Sequence, residues 1–339
     1  MAPISTPNYN LTGQDFIVVG GGGYIGAHVC KRLAERGGRP IVFDNFEAGH
    51  VHAVKWGPYE SMDLRDRPAT FAAFQKFPDV KTVIHLASSI EVGEGEKAPE
   101  EFYENNVSGA LNLLMAMRAV GADRLIFSST CATYGETQNM PLTESEIQNP
   151  FSVYGKTKLA IEHIIQSYHK AYGLKYVTFR YFNASGADPS GVIGEEHDPE
   201  THLIPNALKA AAGLGKGLKL FGTDYDTPDG TCVRDYIHVN DIAEAHIQAV
   251  KAMDEGLTHA ELNLGTGEGY SVLQIINAIE QVTGLPVPYE ASPRREGDLT
   301  QLYANAERAR KVLNFTPKHS SLENIITTAW NFHRKKWGL

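Results

Sequence analysis

Phe16-Ile17-Val18-Val19-Gly20-Gly21-Gly22-Gly23-Tyr24-Ile25-Gly26 is the stretch that decides the fold of this chain. Four apolar residues read as a short buried strand, the glycine run as a turn, and the amphipathic stretch from Ile25 to Arg36 as a helix. Gly20, Gly23 and Gly26 stand at G-x-x-G-x-x-G spacing. Positions without a Cβ permit the tight turn, let backbone approach a pyrophosphate and let the helix lie close on the strand. The N–H groups at the start of that helix then receive the anion. A glycine triplet alone also occurs in flexible loops, so the flanking sequence has to support the reading. The next apolar run, Pro40-Ile41-Val42-Phe43, ends at Asp44, where an acidic residue would bind an adenosine ribose 2′-hydroxyl. A carboxylate there favours NAD and repels the 2′-phosphate of NADP.

Strands and helices keep alternating through the first half. Thr82-Val83-Ile84-His85-Leu86 reads as a strand and Pro99 to Val120 as a helix with proline in its first turn. Arg124-Leu125-Ile126-Phe127 is another strand, Tyr154 to Tyr172 a helix stopped by Gly173, and Tyr176 to Tyr181 a strand. Repeated β-α units predict an α/β fold, a Rossmann-type doubly wound parallel sheet with helices on both faces. Ligands then belong at the carboxyl ends of the strands. After Asn183 the texture changes to a Gly- and Pro-rich stretch, Gly186 to Pro199, and then to shorter elements near 203–214, 235–238, 241–251, 271–283 and 321–335. We expect an NAD-binding Rossmann domain over 14–183, with some later segments returning to it, and a smaller substrate-binding lobe over 184–339. Ser320 with Glu323 is expected to cap the last helix.

The chain has 339 residues, a net charge of −9 and a pI near 5.8. That acidity argues against nucleic acid as a partner, because phosphate backbones call for clustered Lys and Arg. No apolar run approaches the roughly 18 residues of a membrane span. The opening Met1 to Asp15 is polar and lacks the apolar core of a secretory signal, so a cytoplasmic protein is expected. Cys30, Cys131 and Cys232 have neither disulfide nor metal spacing and read as small buried hydrophobes.

Tyr154-Gly155-Lys156-Thr157-Lys158 carries the chemistry. At i and i+4 a phenol and an ammonium share one helix face. A protonated Lys158 lowers the phenol's pKa from about 10, and a cationic nicotinamide lowers it further. Tyr154 then becomes a general base for a sugar hydroxyl. Taken alone, Y-x-x-x-K marks no more than a helix surface; downstream of a glycine turn its meaning changes.

With these motifs stand Phe127-Ser-Ser-Thr-Cys-Ala-Thr-Tyr-Gly135, Arg180-Tyr-Phe-Asn183, Asp229-Gly-Thr-Cys-Val-Arg-Asp-Tyr-Ile-His-Val239 and Pro293-Arg-Arg-Glu-Gly-Asp298. Over residues 16 to 335 the chain resembles the extended short-chain dehydrogenases/reductases and, among them, the UDP-glucose 4-epimerases. The resemblance implies 4-epimerisation of a UDP-sugar, interconverting UDP-glucose and UDP-galactose. Tyr154 would remove the O4 proton while C4 passes hydride to NAD, and the transient 4-keto sugar would swing round and take the hydride back on its other face. Lys158 would tune Tyr154 and bind the nicotinamide ribose. Thr130, where many relatives have Ser, would bond O4 and relay the proton. The resemblance places Gly20, Gly23, Tyr24, Ile25, Gly26, Asp44, Asn45, Asp63, Leu64, Leu86, Ala87, Ser88, Asn105, Tyr154, Lys158 and Phe182 around NAD. It places Asn183, His202, Leu203, Phe221, Arg234, Arg295, Asp298 and Leu302 around the nucleotide sugar, with no metal, and it implies a homodimer paired through the helices near 99–120 and 154–172.

Some positions depart from the family's pattern. His202 stands where many members have Asn, Ile90 where some have Lys, and Leu302 where some have Tyr and others Cys or Ser. Leu302 leaves open a plain hexose, an N-acetylhexosamine or a pentose such as UDP-arabinose or UDP-xylose. A 4,6-dehydratase would need acidic residues just after Thr130, where Cys131 and Ala132 stand. A net dehydrogenase would exchange its cofactor, and a non-catalytic NAD or UDP-sugar binder would have no need of Thr130, Tyr154 and Lys158 together. Arg234 alone would read as a surface ion pair with Asp235, but inside the run Asp229 to Val239 it does not; His85, inside an apolar strand, reads as a hydrogen-bonded core residue.

Overall fold

The computed structural model describes residues 9–137, 139–215, 217–295 and 297–339; the first eight residues of the polar opening Met1 to Asp15 therefore lie outside the described residues. Asp15–Val19 is a strand with Phe16 to Val19 buried, and the glycine turn leads from it into helix Tyr24–Glu35. This strand is central in a seven-stranded sheet. The spatial order is His259–Leu264, Lys175–Tyr181, Arg124–Thr130, Thr82–His85, Asp15–Val19, Arg39–Asp44, Tyr59–Ser61. The four neighbouring pairs from Arg124–Thr130 through Tyr59–Ser61 run parallel. Chain direction across the sheet reverses between Asp15–Val19 and Thr82–His85, which is the switch point where doubly wound sheets open a crevice.

The chain divides into two compact units. One contains the residues up to Thr133 with Ser152–Phe179 and Ala243–Glu261; the other contains Tyr134–Phe151, Arg180–Ile242 and Leu262–Leu339. In the first unit, Ile17, Ile41, Phe43, Val83, Leu125 and Phe127 from the sheet pack with Leu113, Met117, Ile161 and Ile165 from helices. Helix Val153–Tyr172 starts where Ser152 Oγ accepts the Gly155 N–H at 3.1 Å and ends at Gly173 with φ 73°. The helix expected over Pro99–Val120 is continuous but changes pitch: Tyr103–Ser108 is a π turn between Pro99–Phe102 and Gly109–Val120. π turns recur at functional sites, and this one carries Asn105 and Asn106.

In the second unit, helices Leu203–Ala211, Val272–Thr283 and Leu322–Trp337 enclose Ile204, Leu208, Ile275, Ile279, Ile325 and Ala329. Strands Val233–Arg234, Tyr270–Ser271 and Gln301–Leu302 form a small sheet. The cap of the last helix is a correction. Ser321, not Ser320, accepts from its first turn, at Asn324 N, and no bond to Glu323 completes a capping box. Ser320 donates instead to Asp241 Oδ2 at 2.6 Å and accepts the His238 N–H at 2.9 Å. Among the described residues no helix is long and apolar enough to cross a membrane.

Candidate active site

The glycine turn is built for an anion. Gly20 has φ +82°, and a Cβ there would stand 2.6 Å from Ala87 N; a Cβ on Gly26 would stand 2.1 Å from Gly20 O. Both positions therefore exclude every side chain. Gly23 is the N-cap of helix Tyr24–Glu35, with no capping side chain and no acidic residue in the first turn. The helix's leading N–H groups and the positive end of its dipole are left for a negatively charged ligand. Leu86 and Ala87, after the strand on the other side of the switch point, donate their N–H groups to Val19 O at 2.8 and 3.1 Å.

Asp44 closes the same turn from the next strand. It is buried, Oδ2 accepts the Gly22 N–H at 2.9 Å and Oδ1 accepts the Phe46 N–H at 2.8 Å. Burial raises its pKa, while the bonds from Phe46 and Gly22 pull it back down. An ionised carboxylate has about four lone-pair directions, so two remain for a ribose diol. Asn45 Nδ2 donates to Asp63 Oδ2 at 3.3 Å, and Arg65 holds the Asp63 carboxyl below the usual range; Leu64 beside it is buried. Asn105 Nδ2 donates to Ser89 Oγ at 2.8 Å, next to Ser88. These donors, acceptors and Cβ-free positions fit a dinucleotide. Phe182 belongs to the second unit, where it is buried and its N–H donates to Leu264 O at 3.2 Å.

Thr130 ends strand Arg124–Thr130 and lies at hydrogen-bonding distance of Tyr154, which with Lys158 occupies the first turns of helix Val153–Tyr172. Tyr154 is half-buried and Lys158 buried. Lys158 Nζ donates to Ser128 O at 2.9 Å and stands 5.7 Å from the Tyr154 ring centre and 5.1 Å from that of Phe127. The electrostatics correct one expectation. Burial raises the Tyr154 phenol above its ordinary pKa, and what opposes burial is the Thr130 hydrogen bond rather than Lys158. Burial also pushes the Lys158 ammonium down to about 7, with Glu162 opposing. Lys158's charge is thus itself costly in this position, which weakens it as a lone tuner of Tyr154.

Glu162 was not picked out from the sequence, although it lies one turn beyond Lys158, at i+4. It is 1% exposed and accepts Ser129 Oγ–H at 2.5 Å. Asn106 was likewise missed in favour of its neighbour Asn105. Buried, it accepts the Ser89 N–H at 2.8 Å and donates to Thr157 Oγ1 at 3.0 Å, tying the loop after Thr82–His85 to the helix of Tyr154. His85 is a core residue as expected but not a hydrogen-bonded one: neither ring nitrogen has a partner, and burial pushes its pKa down to about 3. Cys30 and Cys232 are buried, whereas Cys131, next to Thr130, is only half-buried; none of the three is in a disulfide.

In the second unit Asp298 joins the two arginines. Arg295 Nε donates to Asp298 Oδ2 at 2.8 Å and Arg234 Nη2 stands 3.5 Å from Oδ1. The Arg295 guanidinium lies over the Phe221 ring at 5.1 Å, and Leu302 is in register with Arg234 on the adjoining strand. Arg234 does not pair with Asp235, whose buried carboxylate accepts N–H groups of Thr266, Gly267 and Ala304. Asn183 Nδ2 donates to Asp235 O at 2.8 Å, and Leu203 opens helix Leu203–Ala211. His202 Nδ1 is engaged with Glu195 Oε1 at 2.5 Å.

The model of the NAD dependent epimerase/dehydratase family matches residues 16–265 of the chain. The chain is 50% identical over 325 residues to a UDP-glucose 4-epimerase of Rhizobium leguminosarum bv. trifolii, covering 96% of this chain and 99% of that one. It superposes on a UDP-glucose 4-epimerase from Brucella ovis in complex with NAD with a TM-score of 0.92 at 47% identity, over 94% and 98% of the two chains. A UDP-glucose-4-epimerase from Stenotrophomonas maltophila, with bound NAD and formylated UDP-arabinopyranose, gives a TM-score of 0.92 at 36% identity over 96% and 99%.

Proposed function

The chain belongs to the NAD dependent epimerase/dehydratase family, and from that premise we propose that it interconverts UDP-glucose and UDP-galactose by inverting C4 of the hexose with no net redox. NAD, when bound, supplies what no side chain can, a hydride acceptor and donor for C4. The observation that carries the proposal is the hydrogen-bonded pair Thr130 and Tyr154 with Lys158 on the same helix face. Tyr154 takes the O4 proton as the 4-keto sugar forms and returns it to O4 when C4 is reduced from the opposite face. Thr130 orients O4 and relays that proton. Lys158, near balance between amine and ammonium, is held by Ser128 O and kept toward its charged form by Glu162. Its charge and the positive charge of a nicotinamide together oppose the burial that raises Tyr154.

For NAD we assign Gly20, Gly23, Tyr24, Ile25 and Gly26 to the pyrophosphate, and Asp44 to the adenosine ribose. Asn45, Asp63 and Leu64 surround the adenine, and Leu86, Ala87, Ser88, Asn105, Lys158 and Phe182 the remainder. For the nucleotide sugar we assign the diphosphate to Arg234, Asn183 and His202, the guanidinium offering the bidentate grip phosphate favours. Phe221, Arg295 and Asp298 take the uridine, and Leu203 and Leu302 border the sugar. Leu302 is small enough to leave UDP-arabinose as a second substrate, a reading favoured by the pentose nucleotide in the Stenotrophomonas structure. We further propose a cytoplasmic homodimer; three cysteines outside any disulfide suit a reducing compartment. Light scattering should return twice the 37.2 kDa of the chain.

The test is incubation of the purified protein, without added cofactor, with UDP-galactose, UDP-N-acetylgalactosamine and UDP-arabinose separately, products being resolved by proton NMR. Conversion of UDP-galactose to UDP-glucose is expected, with relative rates reporting what Leu302 admits. Loss of water from the sugar, or accumulation of NADH, would sink the reading.

A further inference from the structure

Glu195, His197, Glu200 and His202 lie in one short segment before helix Leu203–Ala211 and each offers one ligand atom, all of them within 4.8 Å of one another. We propose that these four side chains form a closed site for one divalent transition-metal ion of the zinc type. Two imidazoles and two carboxylates are a donor set that zinc accepts in four-coordinate sites. At Zn–N and Zn–O distances of about 2.0–2.2 Å, tetrahedral ligand atoms stand roughly 3.4 Å apart. His197 Nδ1 is 3.4 Å from Glu195 Oε1 and 3.6 Å from Glu200 Oε2, and His202 Nδ1 is 3.6 Å from Glu200 Oε1. The contact of His202 Nδ1 with Glu195 Oε1 is closer, at 2.5 Å, a proton-sharing contact that an ion would open by about 1 Å.

A second observation separates an ion site from a mere network of protons. His197 Nδ1 is buried and makes no hydrogen bond, although two carboxylates face it. Buried ring nitrogens without a partner are exceptions that call for a cause, and a lone pair aimed at a metal is one. Glu195 is 4% exposed and faces His197 and His202 at 3.4 and 2.5 Å, while Lys336 pairs with Glu196 at 2.6 Å. His202 is the N-cap residue of helix Leu203–Ala211 yet its side chain makes no capping bond, and its Nδ1 faces the cluster instead. An ion there would fix the segment that leads to Leu203 while leaving His202 Nε2–H free to donate.

The full chain, produced without an affinity tag and stripped with EDTA, should bind one Zn²⁺ per chain by titration calorimetry. Co²⁺ in its place should give the intense visible bands of tetrahedral coordination. His197→Asn and Glu200→Gln, checked for folding by circular dichroism, should each weaken Zn²⁺ at least tenfold and abolish the Co²⁺ bands. Absence of saturable binding by the stripped protein, or variants that bind as tightly with the same Co²⁺ spectrum, would overturn the site. Should either variant not fold, the wild-type Co²⁺ spectrum alone decides: octahedral bands contradict the proposal.

Discussion

As the proposed general base, Tyr154 would have to ionise where burial opposes its charge, and the residues around it are ordered by how they offset that opposition. Thr130 does so by hydrogen bond, whereas Lys158, whose own charge burial opposes, would add to it only together with the positive nicotinamide of the proposed mechanism. Replacing Tyr154 by Phe should lower kcat by about 10²- to 10⁴-fold, the usual worth of a general base, while the amount of co-purified NAD is unchanged. Thr130→Ser should retain most of the rate and Thr130→Val should not; equal rates for the two would remove the hydroxyl from the mechanism. His85 gives a pH prediction. Its pKa is about 3 in the folded chain against 6.5 unfolded, so the unfolded state binds the extra proton and stability falls as pH drops from 6.5 toward 3. The slope approaches ~1.4 kcal/mol per pH unit. His85→Phe should flatten the fall of Tm with acid in that window; an unchanged slope would assign the acid sensitivity elsewhere. Tyr154 and Lys158 were legible in the sequence because i, i+4 spacing fixes a shared face. Glu162 and Asn106 were not, since their partners Ser129, Ser89 and Thr157 are distant in the chain. The balance between burial and Lys158 was misjudged for the same reason: desolvation is a property of the packed fold.

Helix Val153–Tyr172 holds Tyr154, the proposed general base, in its first turn, so its N-cap is expected to act on chemistry as well as stability. Ser152→Ala removes the bond to Gly155 N–H and should cost about 1 kcal/mol of stability. It should also lower kcat more than it raises KM, because Tyr154 loses its fixed start; a stability loss with kcat untouched would contradict that coupling. The glycine turn is stricter. Gly26→Ala places a Cβ 2.1 Å from the backbone oxygen of Gly20, which cannot swing aside as a side chain would, and should abolish NAD retention even where the protein stays folded. Strand, turn and helix here were readable because Cβ-free spacing leaves few alternatives. The π turn at Tyr103–Ser108 was not readable, since it preserves the helical pattern on either side. The cap at Ser321 was missed by one residue because Ser320 and Ser321 are equivalent in sequence, and only Asp241 and His238 distinguish them.

The whole molecule interleaves two units, the first regaining Ala243–Glu261 after the chain has entered the second. The alternation of β and α segments made the parallel sheet legible as far as Lys175–Tyr181, except for the short edge strand Tyr59–Ser61, which has no apolar run to mark it. The last strand, His259–Leu264, was not, because an edge strand reached after so long an excursion has no local signal tying it to the sheet. The convergence of Arg234, Asp298, Arg295 and Phe221 followed from motif resemblance and not from periodicity. The central claim at this scale is that hydride leaves and returns to C4 within one binding event. It is tested most directly with UDP-galactose deuterated at C4, incubated with the purified protein without added cofactor and followed by NMR and mass spectrometry. The account predicts UDP-glucose that keeps its deuterium at C4, with no NADH released. Exchange of that deuterium for solvent hydrogen, or its appearance in free NADH, would contradict it.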